Sequence, residues 1–249
     1  MQTVHSVFAR YEDLRARLPE NRTRPGTTAI ASLLELQPHA SAFVFDAFGV
    51  LNVGTEPIPG AAARLRQLRT AGCAIRILSN AASNGKAQTV EKFRALGFEI
   101  APEEIITGFL FLSSAEWNAG KQAMLSASLQ QSPRPVVIAN ADLVAPRSGG
   151  LSLEPGFYGH QLADQGQTDV RFFGKPYPEV YALAAQTLAE VEPDRIVMCG
   201  DTLHTDILGA SAAGWQTVLV TRDGVLAGQE PQEFIEASGI WPDFWLPRI

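Results

Sequence analysis

The chain has 249 residues, 46% of them hydrophobic and 18% charged, with a formal net charge of -6. This is ordinary globular usage, enough for one large domain with a substantial core and room for a smaller insertion. No Lys/Arg cluster forms a basic stripe, so nothing points to nucleic acid, and no apolar run approaches the ~18–20 residues that span a bilayer.

Val7, Phe8, Tyr11, Leu14 and Leu18 fall at helical spacing and predict an amphipathic N-terminal helix ending near Pro19. The first residues are charged early and carry no secretory apolar region, which makes the cytoplasm the expected compartment. Cys73 and Cys199 stand in apolar stretches and read as buried, reduced thiols. After the turn-rich NRTRPGTT a short helix is expected around Ala29–Leu36. SAFVFD, ending on Asp46, then reads as a buried strand.

GAAARLRQLRTAG is a helix closed by Gly72, CAIRILSN a strand, and KAQTVEKFRALG a helix closed by Gly97. The same grammar returns later: PEVYALAAQTLAE as a helix, RIVMCGD as a strand, TDILGASAAG as a helix and QTVLVT as a strand. Strand–helix alternation at these lengths predicts an α/β fold with a doubly wound parallel sheet. Residues 107–170 break the rhythm, with helical FLFLSSAEWNAGKQAMLSASL, one strand PVVIANAD and a Gly- and Pro-rich stretch. They read as an insertion. The core is then 1–106 and 171–249, with 1–40 as an N-terminal helical extension. The C-terminal GIWPDFWLPRI is expected to pack on the sheet edge.

Open parallel sheets bind ligands outside the carboxyl ends of their strands. The predicted strands deliver Asp46, Ser79 with Asn80, and Asp201 with Asp206 there, and FFGKP adds Lys175. Carboxylates so crowded repel one another unless a cation intervenes, and hard oxygen ligands suit Mg²⁺. Lys175 and the amides after Asp46 can neutralise a phosphoryl group, which an ionised Asp46 can attack. Singly, each residue has a plainer reading: a strand-end aspartate caps a turn, Asp206 starts a helix, Ser79 is a loop hydroxyl and Lys175 a solvated charge. His204 reads as a rim residue rather than a base.

In order, FVFDAFGVL, ILSN, FFGKP and GDTLHTD resemble the four motifs of the haloacid dehalogenase superfamily. The chain is closest in pattern to its subclass IIA, where an α/β cap is inserted between the second and third motifs. That resemblance spans about residues 41–225 and implies a Rossmann-like core with a small inserted cap at 107–170. It implies Asp46 as nucleophile and Mg²⁺ ligand, with the Phe48 backbone carbonyl and Asp201 as further ligands. Ser79 would hold the phosphoryl group and Lys175 balance its charge. Asp206 would orient Lys175 or the metal's waters, and Asn80 and the amides of 47–49 complete the cradle.

Two departures stand out. The family's phosphatases usually carry a second aspartate, a general acid and base, where this chain has Phe48, and the cap interval is short. The expected activity is Mg²⁺-dependent hydrolysis of a small phosphorylated metabolite, a sugar phosphate among the candidates, through an aspartyl-phosphate. The alternatives are an impaired domain that binds a phosphorylated ligand, and haloacid dehalogenase-type chemistry. Trp117, Phe157, Tyr158 and His160 are candidate cap contacts. Whether a second copy of the chain completes the short cap, as a homo-oligomer, stays open.

Overall fold

The run Ala42–Phe45 is buried at every position, so it must be covered on both faces, as a central parallel strand is. The computed structural model describes residues 3–78, 86–101, 104–106, 114, 116–131, 133, 135–147, 149–166 and 169–249. Its strands are β1 (Thr28–Ala29), β2 (Ala42–Phe45), β3 (Asn52–Val53), β4 (Glu56–Pro57), β5 (Ala74–Leu78), β6 (Ile105–Ile106), β7 (Val136–Ile138), β8 (Val144–Arg147), β9 (Gly150–Leu153), β10 (Val170–Phe172), β11 (Ile196–Gly200), β12 (Gln216–Val220) and β13 (Phe244–Leu246). The α-helices are α1 (Val4–Asp13), α2 (Ala61–Thr70), α3 (Lys86–Ala95), α4 (Ala119–Gln131), α5 (Pro155–Asp164), α6 (Pro178–Gln186), α7 (Leu208–Ala212) and α8 (Pro231–Ser238).

Seven strands form one sheet in the order β1-β13-β12-β11-β2-β5-β6, and every neighbouring pair is parallel. The doubly wound sheet expected from the alternation is therefore present. Period-two alternation divides its core. Phe43, Phe45, Val197, Cys199, Ile75 and Ile77 pack with Leu65 and Leu68 of α2 and Phe93 of α3 on one face. Ala42, Val44 and Met198 meet Val180, Tyr181 and Ala184 of α6 on the other. Burying Phe43 and Phe45 contributes roughly 1.5–3 kcal/mol each. Both cysteines are buried free thiols.

Two expectations change. Thr28–Ala29 is not helical: the amides of Thr28 and Ile30 donate to Asp243 and Trp245, so long-range pairing overrides local propensity, and only Leu33–Leu36 forms a 3-10 turn, capped by Ser32 and Glu35. The C-terminal segment packs one position inside the edge, as β13 between β1 and β12, rather than against it.

The insertion is richer in strands than one-strand reading allows. β7 pairs with β10 in parallel apart from the main sheet, and β8 pairs with β9 as an antiparallel hairpin. The hairpin comes from the Gly- and Pro-rich stretch. Gly149 lies in its turn and Gly150, at φ +117, opens β9 opposite Arg147, while Val144, Leu151 and Leu153 pack toward α1.

Helix α1 fastens the insertion to the core. Val7, Tyr11 and Leu14 pack against Leu143 and Val144 on one side and Val225 on the other. The Tyr11 hydroxyl accepts the Leu143 amide at 3.1 Å, and Arg17 pairs with Asp164 at 2.7 Å, beside Arg10 on the same carboxylate. Among the described residues no helix is long and apolar enough to cross a membrane.

Candidate active site

Two strand ends of the main sheet, a return segment after β11 and the segment after β10 meet at the carboxyl edge of the sheet. β2 hands over to Asp46, whose amide donates to the Cys199 carbonyl at 3.0 Å, so the ladder extends to the last residue before the turn. β11 hands over to Asp201. The chain then makes a π-helical turn, Leu203–Ile207, which folds Asp206 back so that one carboxylate oxygen accepts the Thr202 amide at 3.1 Å. Its other oxygen faces Lys175. The lysine lies just beyond β10, where the chain leaves the insertion and before α6 begins.

Asp46, Asp201 and Asp206 are all buried, and one carboxylate oxygen from each lies within 4.8 Å of the others. Lys175 Nζ, 1% exposed, bridges Asp46 at 2.7 Å and Asp206 at 2.6 Å. Burial works against its ammonium. Asp206, Asp46 and Asp142 outweigh that and hold its pKa well above the usual lysine value. Burial pushes the Asp46 carboxyl up, against the opposing pull of Lys175, and pushes Asp201 up further, reinforced by Asp46 and Asp206. One lysine among these carboxylates leaves an excess of negative charge.

That excess, on hard oxygen donors, fits a divalent cation such as Mg²⁺. The oxygens of Asp206 are taken by Lys175 and Thr202, which makes it a support for the lysine. Asp201 is held at both oxygens, Oδ1 accepting the Thr202 hydroxyl at 3.0 Å and Oδ2 the Val225 amide at 2.8 Å.

Close approach of these groups depends on glycine. Gly49 sits at φ +80, and a Cβ there would lie 2.2 Å from Asp201 Oδ2 and 2.6 Å from the Gly224 Cα. A Cβ on Gly200 would lie 2.2 Å from Asp206. Only hydrogen fits at either position.

Asp46, Lys175, Asp201 and Asp206 therefore converge as the sequence led us to expect. Ser79 and Asn80 lie outside the described residues. His204 differs from the rim residue expected. It is 2% exposed, stacks on Tyr11 at 4.7 Å, and gives its Nε2 to Glu12, so α1 covers it. Burial lowers its pKa. Phe48 is half-buried, and its ring lies 4.6 Å from both the Lys92 ammonium and the Arg147 guanidinium. Among the candidate cap contacts, Trp117 and Tyr158 pack edge to face, while His160 is 1% exposed and stacks on Phe172.

One carboxyl was missed. Asp142, which the sequence marks only as the end of a strand in the insertion, lies within electrostatic range of Lys175, Asp46 and Asp206. Asn140 fixes the loop by accepting the Asp142 amide at 2.9 Å, and Gly156, where a Cβ would lie 2.6 Å from the Asp142 carbonyl, lets α5 start against it. Burial first, then Asp46, Asp206 and Glu154, push its pKa up to about 8 against the opposing effect of Lys175. Its position at the carboxyl end of a strand was the available signal.

Comparison with known proteins bears on both halves of the core. Residues 43–125 match the family model for haloacid dehalogenase-like hydrolases, and residues 172–247 match a second, HAD-hydrolase-like model. A bovine (Bos taurus) haloacid dehalogenase-like hydrolase domain-containing protein 2 is 26% identical, covering 76% of this chain and 87% of its own. Human (Homo sapiens) glycerol-3-phosphate phosphatase is 25% identical over 83% of this chain and 88% of its own. The crystal structure of a possible sugar phosphatase from Cytophaga hutchinsonii superposes with a TM-score of 0.76 at 21% identity, covering 90% of this chain and 98% of that one.

Proposed function

The chain belongs to the haloacid dehalogenase-like hydrolases, and on that premise we propose that it is a Mg²⁺-dependent phosphomonoesterase acting on a small phosphorylated metabolite. The observation that carries this reading is Asp46, seated at the end of the central strand with Lys175 at 2.7 Å and two further carboxylates beside it. A haloacid dehalogenase that expels halide without metal has no use for that cluster. The relatives named for glycerol 3-phosphate and sugar phosphate support a small phosphoester as the substrate class. The two buried free thiols fit a reducing cytoplasm.

Asp46 and Asp201, with the Phe48 carbonyl, would hold the Mg²⁺, which supplies charge neutralisation to the phosphoryl oxygens. Lys175 balances the remaining phosphoryl charge, and Asp206 holds the lysine in place. Ser79 and Asn80 complete the phosphoryl contacts in this reading, by resemblance. An Asp46 oxygen forms a bond to phosphorus as the ester P–O bond breaks, and the leaving oxygen takes up a proton. Water then attacks phosphorus, which frees the Asp46 carboxylate and releases phosphate. Phe48 cannot supply that proton. We assign it to Asp142, a half-buried carboxyl whose pKa is pushed up to about 8, which would give the proton and recover one from the attacking water.

The test is hydrolysis of p-nitrophenyl phosphate with and without Mg²⁺, alongside Asp46→Asn. Its leaving group needs little protonation, so Phe48 does not mask a competent nucleophile. Mg²⁺-dependent turnover, lost at least about 10³-fold in the variant, is expected. Turnover unchanged by Asp46→Asn would refute the nucleophile. Phosphate binding without turnover would favour an impaired binding domain, the reading that Phe48 alone favours.

A further inference from the structure

Position 48 does more than lack a carboxylate. Its ring gathers two cations from different elements: Lys92 from α3, and Arg147 from the end of β8. Each charge lies 4.6 Å from the ring centroid, so neither can be farther from the other than twice that distance. An aromatic face attracts a cation without neutralising it. Lys92 is half-buried, and among the described residues it makes no hydrogen bond or ion pair. Arg147 gives one nitrogen to Glu154 at 3.0 Å and another to Ser152 at 3.1 Å, and its third nitrogen has no partner among the described residues.

Two cations gathered on the ring two residues after the nucleophile, one of them with no ion-pair partner among the described residues, call for an anion from outside the chain. The phosphoryl group is already served by Lys175. We propose that Lys92 and Arg147, supported by the Phe48 ring, bind a second anionic group of the substrate, so that the enzyme acts on phosphomonoesters that also carry a carboxylate or a second phosphate. This rests on the phosphatase reading above. It also gives Phe48 a positive role. An aspartate here would itself pair with Lys92 and Arg147 and fill the site, whereas phenylalanine holds both cations and leaves their charge free. The guanidinium edge and the ammonium suit carboxylate and phosphate oxygens alike.

Two matched pairs of esters test the proposal. 3-Phosphoglycerate differs from glycerol 3-phosphate by a carboxylate, and fructose 1,6-bisphosphate differs from fructose 6-phosphate by a second phosphate. The wild type is expected to favour at least one charged member by tenfold or more in kcat/KM. Lys92→Gln should cut that preference at least tenfold, mainly through KM, and Arg147→Gln should do the same by an independent route. A preference within one pair only identifies the anion as carboxylate or phosphate. Turnover with no preference in either pair, or a preference that both variants retain, overturns the anion site and leaves the phosphatase standing. If no ester is turned over, the phosphatase reading fails instead. Calorimetric titration with 3-phosphoglycerate and glycerol 3-phosphate then decides: tighter binding of the former, lost in Lys92→Gln, upholds the site, and equal titrations overturn it.

Discussion

Replacing Lys175 with methionine removes one charge of three that were built together. The side chain is 1% exposed and lies 2.7 Å from Asp46 and 2.6 Å from Asp206. Methionine fills most of the volume, so packing changes little, but two buried carboxylates lose their counter-charge. Stranding buried charge in this way costs about 3–5 kcal/mol. For a chain of this size, about 2–4 °C of Tm is lost per kcal/mol, which predicts a fall of roughly 6–20 °C. The sign of the pH dependence follows from the pairing. In the wild type the lysine's folded pKa is raised above its unfolded value, so its contribution is complete at neutral pH and disappears only in strong alkali. In the variant Asp46, already pushed up by burial, loses the lysine that opposed that shift, so the penalty grows as pH rises from about 4. Thermal melts of both proteins at pH 5 and pH 8, in chelator, measure this. A deficit near zero at pH 8, or one of equal size at both pH values, would refute the charge-balance argument.

The remaining predictions concern the site's support. Gly49→Ala combines a φ of +80 with a Cβ 2.2 Å from Asp201, and should cost about 2–4 kcal/mol in urea unfolding together with most of the turnover; a fully active, stable variant would show that the turn can open. Burial, then Arg17 and Arg10, depress the His160 pKa to about 4, so the unfolded chain binds the extra proton and stability falls as pH drops from about 6.5 toward 4, by up to about 3 kcal/mol. His160→Gln should flatten that acid limb, and an unchanged limb would place the titration elsewhere. Asp142→Asn should lower kcat by about 10²-fold for alkyl phosphates and far less for p-nitrophenyl phosphate. An equal loss on both would make Asp142 a structural residue.

Much of the fold was legible because buried strands and amphipathic helices obey periods that need no tertiary knowledge. SAFVFD, CAIRILSN, RIVMCGD and QTVLVT contain four of the seven sheet strands, and their ends carry Asp46 and Asp201 to one edge. β1 and β13 were harder. Two or three residues long, they exist because distant backbones pair, which no local window records. His204 was misplaced for a similar reason. Its burial comes from Tyr11 and Glu12, nearly two hundred positions earlier, and nothing near GDTLHTD announces that cover. The hairpin of β8 and β9 was hidden by its glycines and proline, which signal a turn but not the strands on either side.

Phe48 joins these threads. Read as a missing carboxylate, it makes the chain a damaged phosphatase. The surrounding residues fit a redistribution better. The carboxyl proposed as proton donor is Asp142, its pKa pushed up to about 8, and the charge facing position 48 comes from Lys92 and Arg147. Asp142 and Arg147 both belong to the segment that α1 and the turn after it hold through Tyr11, Arg10 and Arg17. A fixed insertion can carry groups that must meet the nucleophile accurately, since misplacement by about 1 Å can cost 10²-fold in rate. A short cap and an N-terminal strap are thus parts of one arrangement. In the proposed mechanism the N-terminal strap holds residues 142–164 in place, and Asp142 supplies the acid that position 48 lacks.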